Sequence, residues 1–249
     1  MNVSPASPPK SPKKPAAKKG KAAGPEQHVC DFCKKGFVRE STFLVHLCEP
    51  KRRWMDRDTK HVKLGFMVFQ RFHEANYIGR KAKTFEEFMR SPLYVGFTKF
   101  GKYILTIDAI NPKAFIEFII KSNIPLKRWE SSVVYETYVR ELNKKETASA
   151  AVERHFLLMQ QWSMNTGEPM QDFFRKVSPA QATLWIGSGR ISPWVLFNCE
   201  SAEELIQRLS EEQFKLVFSY IDPDFWAIRF KRAQHDADVV REELKAFGM

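Results

Sequence analysis

The sequence predicts a mostly α protein: a multi-helix globular body over residues 58–249, preceded by a small Cys/His-rich module and a disordered basic N-terminal tail. Three observations predict it. Helix-start signals recur along the body: Ser91-Pro92, Asn111-Pro112, Ser178-Pro179, Ser192-Pro193 and Asp222-Pro223 each place a capping side chain before a proline, and Thr84-Phe-Glu-Glu87 and Ser201-Ala-Glu-Glu204 have capping-box spacing. Between these signals apolar residues return every three or four positions. Outside the Cys-rich segment, no run alternates apolar and polar residues in the way a half-buried strand does.

Residues 1–27 consist mostly of Pro, Lys, Ala, Ser and Gly, with no aromatic residue and one branched aliphatic, Val3. Such a segment cannot bury enough apolar surface to offset the entropy of ordering, so it is expected to be disordered. It holds Lys10, Lys13, Lys14, Lys18, Lys19 and Lys21 against a single acid, Glu26, a net +5. Ser7-Pro-Pro-Lys10 and Ser11-Pro-Lys-Lys14 resemble the Ser-Pro-Lys-Lys repeats of linker-histone tails, which implies contact with DNA phosphates and the minor groove. A plain solubilising tail would have the same composition. No apolar stretch follows Met1, so no secretory leader is expected.

Residues 28–50 read HVCDFCKKGFVRESTFLVHLCEP. Three of the chain's four cysteines fall in this window. Cys30 and Cys33 are separated by two residues, which lets two thiolates grip one ion, and His46 follows after twelve more. That is the spacing of a tetrahedral structural zinc site. Phe37 stands four residues after Cys33, and Phe43 three before His46. The segment thereby resembles the CCHH-type zinc-finger family, and the resemblance implies a small ββα-like finger whose core is largely those two rings. The departure is the fourth ligand: where the family has a second histidine three to five residues on, this chain has Cys48 after one residue, followed by Glu49-Pro50. A CCHC set of Cys30, Cys33, His46 and Cys48 is chemically sound, because thiolate binds zinc well. His61 is the reserve fourth ligand and His28 a weaker one. The expectation is that Cys48 binds from an unwinding helix end that Pro50 helps to stop. Three reduced cysteines packed as small apolar groups is the competing reading.

Residues 50–57 read as a basic linker in which Lys51, Arg52 and Arg53 can neutralise phosphates, and Trp54 is expected to plug into the main body. Together with Lys34, Lys35 and Arg39 of the finger they extend the basic character of the tail. Residues 1–60 carry a net +8 of the chain's +11. A charge excess concentrated in one quarter of the chain points to a nucleic-acid-facing N-terminus, DNA in preference to RNA.

From residue 58 the chain reads as roughly nine to eleven short helices. Val62, Phe66, Phe69, Phe72 and His73 share a face, as do Phe115, Phe118 and Ile119; Val134, Tyr138 and Leu142; and Val152, Phe156, Met159 and Trp162. The 21 Phe and 6 Trp supply ample core. No run of 18 apolar residues exists, so no spanning helix is expected. Only Cys199 lies outside the finger, so a disulfide framework is not expected and a reducing compartment, cytoplasm or nucleus, is.

Catalytic constellations are weak. No His-Glu-x-x-His pair occurs. Gly187-Ser-Gly189-Arg190 lacks the spacing of a phosphate loop and reads as a helix stop. His235-Asp-Ala-Asp238 would spread around a helix, and Cys199 reads as a buried thiol. Phe97, Phe100 and Tyr103 read as core with Lys99 and Lys102 on the outer face, and Arg80-Lys-Ala-Lys83 as a solvated loop. The body, with Cys-Glu-Pro-Lys-Arg-Arg-Trp54 ahead of it, weakly resembles uncharacterised zinc-finger proteins of large tailed phages, and no activity comes with that resemblance. The expectation is a non-enzymatic zinc protein that holds nucleic acid mainly through phosphates, with the body engaging another protein. The alternative is a protein–protein adaptor whose finger binds a partner protein.

Overall fold

The computed structural model describes residues 28–76 and 81–249. The chain divides into two compact units, 1–55 and 56–249. The tail lysines Lys10, Lys13, Lys14, Lys18, Lys19 and Lys21, and Arg80 of the basic loop, lie outside the described residues.

In the first unit, β1 (His28–Val29) and β2 (Gly36–Phe37) form a two-stranded antiparallel sheet with His28 opposite Phe37 and Val29 opposite Gly36. Two helices follow, α1 (Glu40–Leu44) and α2 (Glu49–Met55). The stretch expected to be a linker is therefore mostly helix. Pro50 does not end α1, which stops at Leu44. It occupies the first turn of α2, where its missing N–H has no intrahelical role and its fixed φ suits the helix. Neither helix buries a side chain fully.

Every regular element among the second unit's described residues is a helix. Its first half comprises α3 (Lys60–Asn76), α4 (Phe85–Arg90), α5 (Tyr94–Thr106), α6 (Pro112–Lys121) and α7 (Ser132–Lys145). Its second half comprises α8 (Ala148–Thr166), α9 (Phe173–Lys176), α10 (Pro179–Gly187), α11 (Pro193–Leu196), α12 (Glu200–Arg208), α13 (Glu211–Val217), α14 (Pro223–Arg232) and α15 (Gln234–Ala246). Thirteen helices exceed the nine to eleven expected. Pieces as short as α9 and α11 span barely one turn and leave no periodicity to read.

The capping signals mostly hold. Asn111, Ser178, Ser192 and Asp222 each cap the helix whose first residue is the following proline. Thr84 and Glu87 form a reciprocal capping box. Two signals fail. Ser91 closes α4, and its Oγ accepts from the Leu93 N–H. Helix α12 starts at Glu200, so Ser201 lies inside it and pairs with the Cys199 thiol at 3.2 Å. A box formed by Ser210 and Gln213, which the sequence reading overlooked because the third residue is Gln, opens α13.

The body's core is aromatic. Phe69, Phe88, Phe97, Phe100 and Trp129 interlock through the first half, with Phe97 against Trp129 at 5.7 Å and Phe100 at 5.2 Å. Trp194, Trp226 and Phe230 do the same in the second. Phe97 and Phe100 are fully buried, and Lys99 and Lys102 are exposed, so that stripe is core. Helices α3 and α5 cross backbone to backbone. A Cβ on Gly101 would stand 2.3 Å from the His61 carbonyl oxygen, and one on Gly65 2.9 Å from that of Phe97. The end of α7 is locked by a buried carboxylate: Arg154 grips Glu146 through two bonds of 2.6 and 3.0 Å, and the Ser192 hydroxyl donates to it at 2.7 Å. No helix among the described residues is long and apolar enough to cross a membrane.

Candidate metal centre

The hairpin places the first two donors. After β1 the chain turns back on itself: the Lys34 N–H donates to the Cys30 carbonyl at 2.8 Å, and the Cys30 N–H to the Lys35 carbonyl at 3.0 Å. Lys34 has φ +60, a left-handed conformation that tightens the knuckle and that side chains other than Gly and Asn rarely adopt. The other two donors flank a break between helices. His46 follows the end of α1, its N–H donating to the Phe43 carbonyl. Cys48 precedes α2, and its carbonyl accepts from the Arg52 N–H at 3.0 Å. Cys48 thus sits at the start of a second helix rather than at the frayed end of the first, which is why one residue between His46 and Cys48 suffices.

Cys30, Cys33, His46 and Cys48 bring one donor atom each to within 4.8 Å of all the others. Cys30 Sγ lies 3.8 Å from Cys48 Sγ, and Cys33 Sγ 3.2 Å from His46 Nε2. A tetrahedral zinc ion with its usual bond lengths separates two sulfurs by about 3.8 Å and sulfur from nitrogen by about 3.6 Å. The sulfur–sulfur spacing matches its value and the sulfur–nitrogen spacing is somewhat shorter, so a small outward shift of one donor lets the set fit such an ion. No other group of Cys, His, Asp or Glu among the described residues is arranged to hold a metal. The group contains neither His61 nor His28. His28 is used differently: its ring stacks on Phe43 at 5.7 Å.

The surroundings favour thiolate on one side of the site. Backbone N–H groups of Cys33 and Phe32 donate to the Cys30 sulfur and hold its thiol below the usual range, against the opposing effect of burial. Burial pushes the Cys48 thiol up, opposed by the Lys51 backbone N–H. The rest of the unit packs as a small shell around the donors. Phe37 lies 4.6 Å from the His46 ring and 6.1 Å from Phe43, and Trp54 of α2 lies 6.2 Å from Phe32.

The six basic residues of this unit nominated for nucleic acid divide by engagement. Lys34, Lys35, Arg39 and Arg52 are exposed, with the Lys35 ammonium 5.6 Å above the Phe37 ring. Lys51 donates to the His46 carbonyl at 3.2 Å, and Arg53 pairs with Glu49 one turn back along α2. The sequence reading also missed a set of exposed apolar side chains: Val38, Leu44, Val45 and Leu47 are each more than half exposed. The run Phe-Leu-Val-His-Leu carried the signal, since it has more apolar residues than one short helix can turn inward.

Compared with protein-family models, characterised proteins and solved structures, the chain matches none, so both family resemblances rest on the residues themselves.

Proposed function

We propose that Cys30, Cys33, His46 and Cys48 hold one structural zinc ion, and that the N-terminal unit so stapled binds nucleic acid chiefly through phosphates. The convergence of three thiols and an imidazole at tetrahedral spacing carries the first half of this reading. Four protein donors close the coordination sphere, and a catalytic zinc keeps a position open. The second half rests on charge. Residues 1–55 hold a net +8 and residues 56–249 a net +3, and Lys34, Lys35, Arg39 and Arg52 are exposed beside the metal site. In fingers that read DNA, the residue before the helix and the third and sixth residues of the helix face the bases. Here those are Arg39, Thr42 and Val45. A valine offers no hydrogen bond and α1 has only five residues, so phosphate contact outweighs base readout.

Salt dependence tests this reading. If roughly six cations reach phosphates on a duplex, log K falls with log salt with a slope near about −5. The full chain and a variant with Lys34, Lys35, Arg39 and Arg52 changed to Gln are titrated on one duplex. The variant's slope is expected to flatten by about one unit for each lost contact. Equal slopes would remove the finger from the interface. Metal analysis showing no zinc in the purified chain would remove the staple.

The adaptor reading has its own observation, the exposed Val38, Leu44, Val45 and Leu47 on the finger. Apolar side chains gathered on so small a unit suit a protein surface better than a phosphate backbone. A salt-insensitive complex, lost when Leu44 and Leu47 become Ser, would put that reading first.

A further inference from the structure

The helical body holds a candidate second site that uses none of the metal centre's residues. Arg140, Asn143 and Lys144 stand three and four residues apart on α7 and so share one face. They line a cavity of about 120 Å³ whose other side is formed by Ser219 and Asp222 of the turn before α14 and by Trp226 of α14 itself. Asn143 is 1% exposed, and neither its amide oxygen nor its amide nitrogen has a hydrogen-bond partner. A buried amide left in this way is costly, and native proteins rarely carry one without a reason. Both atoms are orphaned, so the observation does not depend on which way the amide is turned.

The charges around the cavity favour an anion. Arg140 pairs with no carboxylate among the described residues. Its contacts are long ones to the Ser219 and Thr137 hydroxyls at 3.5 and 3.4 Å, with its guanidinium 5.6 Å above the Tyr220 ring. Lys144 reaches Glu141 only at 3.9 Å. The one acid in the lining, Asp222, is committed to capping: its Oδ1 accepts from the backbone N–H groups of Asp224 and Phe225. Two cations therefore face one engaged carboxylate. The orphaned amide adds a further requirement, because a ligand that satisfies both its atoms must accept one hydrogen bond and donate another.

We propose that this cavity binds a phosphate group, either inorganic phosphate or the terminal group of a phosphate monoester. Inorganic phosphate keeps an O–H throughout the neutral range, and a monoester keeps one below its second pKa of about 6, so each can carry negative charge while it donates to the Asn143 oxygen and accepts from its nitrogen. Sulfate has the same shape and no proton to give. The volume admits a group of about five heavy atoms, or a few waters at about 30 Å³ each. The inference rests on the body alone and stands or falls separately from the zinc and nucleic-acid reading.

The test is thermal melting and calorimetric titration of the full chain in inorganic phosphate, with sulfate and chloride at matched ionic strength. Adenosine 5′-monophosphate is compared with adenosine to separate a monoester from the free ion. Phosphate is expected to raise the melting temperature by several degrees at concentrations well above Kd, with sulfate binding about tenfold more weakly. Asn143→Leu is expected to fold, because it removes the orphaned amide, and to lose the preference for phosphate. Arg140→Gln, a change at a half-exposed position, is expected to weaken phosphate binding about tenfold. An equal response to phosphate and sulfate, or a phosphate preference that persists in Asn143→Leu, would overturn the proposal. So would no response in the unaltered chain, which would leave Asn143 to water.

Discussion

The Cys/His-rich unit and the helical body differ in what packs inside them. In residues 28–55 the packed groups are a few rings and the metal donors: Phe37, Phe43, His28 and His46 within about 6 Å of their neighbours, with Cys30 the buried cysteine of the set. Neither α1 nor α2 buries a side chain fully. In residues 56–249 one continuous apolar core runs from Val62 to Leu244. A unit of under thirty residues cannot exclude enough water to hold itself together, and the proposed zinc would supply the difference. The body has the surface area to do without one. On that proposal, stability in the first region is a matter of coordination chemistry, and in the second of packing.

Zinc removal breaks the comparison most sharply. A chelator, or Cys33→Ser with Cys48→Ala, is expected to unfold residues 28–55 outright, because about 10 kcal/mol or more of folding free energy comes from coordination in such modules. The cooperative melt of the body should persist. Amide NMR would show collapsed dispersion for the finger beside intact dispersion for the body. Collapse of both would mean that one core serves the whole chain.

The converse break is Gly101→Ala. Its Cβ would meet the His61 carbonyl oxygen at 2.3 Å, so α3 and α5 must move apart. A loss of about 3 kcal/mol in denaturant unfolding of the body is expected, with zinc content unchanged. No loss would show that the crossing is looser than the backbone positions imply.

A third experiment sharpens the contrast through pH. His155 is fully buried, its ring stacked on Phe174 at 5.1 Å and edge-on to Phe173 at 5.3 Å, with no hydrogen-bond partner at either nitrogen. Burial, helped by the charge of Arg154, pushes its pKa down to about 3. The folded state therefore keeps it neutral while the unfolded state takes up a proton below about 6.5. The contribution is fully present above about 6.5 and is lost as pH falls toward about 3, at about 1 kcal/mol per pH unit. His155→Leu should remove that slope and leave the body more stable in mild acid. The smallest effect expected is from Thr84→Ala, which removes the capping box of α4 for about 1 kcal/mol. An unchanged denaturant midpoint would show α4 to be held by Phe88 and its aromatic neighbours alone.

The Cys/His cluster was legible because its spacing is local: Cys30, Cys33 and His46 fall at fixed intervals that need no knowledge of the rest of the chain. Most helix starts were legible for the same reason, since Asn111, Ser178, Ser192 and Asp222 cap by accepting from N–H groups two or three residues ahead. Cys48 as fourth member of the group was half legible. Its residue type was right, but its place at the head of α2 required knowing that α1 ends at Leu44.

The sequence by itself determined the mostly α class, the N-terminal concentration of charge and the members of the Cys/His cluster, because propensity, capping and short-range spacing are written within a few positions of chain. Only the tertiary structure decided that Gly65 and Gly101 meet across two helices, that Glu146 is gripped by Arg154 and Ser192, and that Asn143 faces a cavity without a partner. Those facts belong to pairs of residues far apart in the chain. Nothing in the local sequence distinguishes an asparagine on the solvent face of a helix from one closed over by the turn before Trp226.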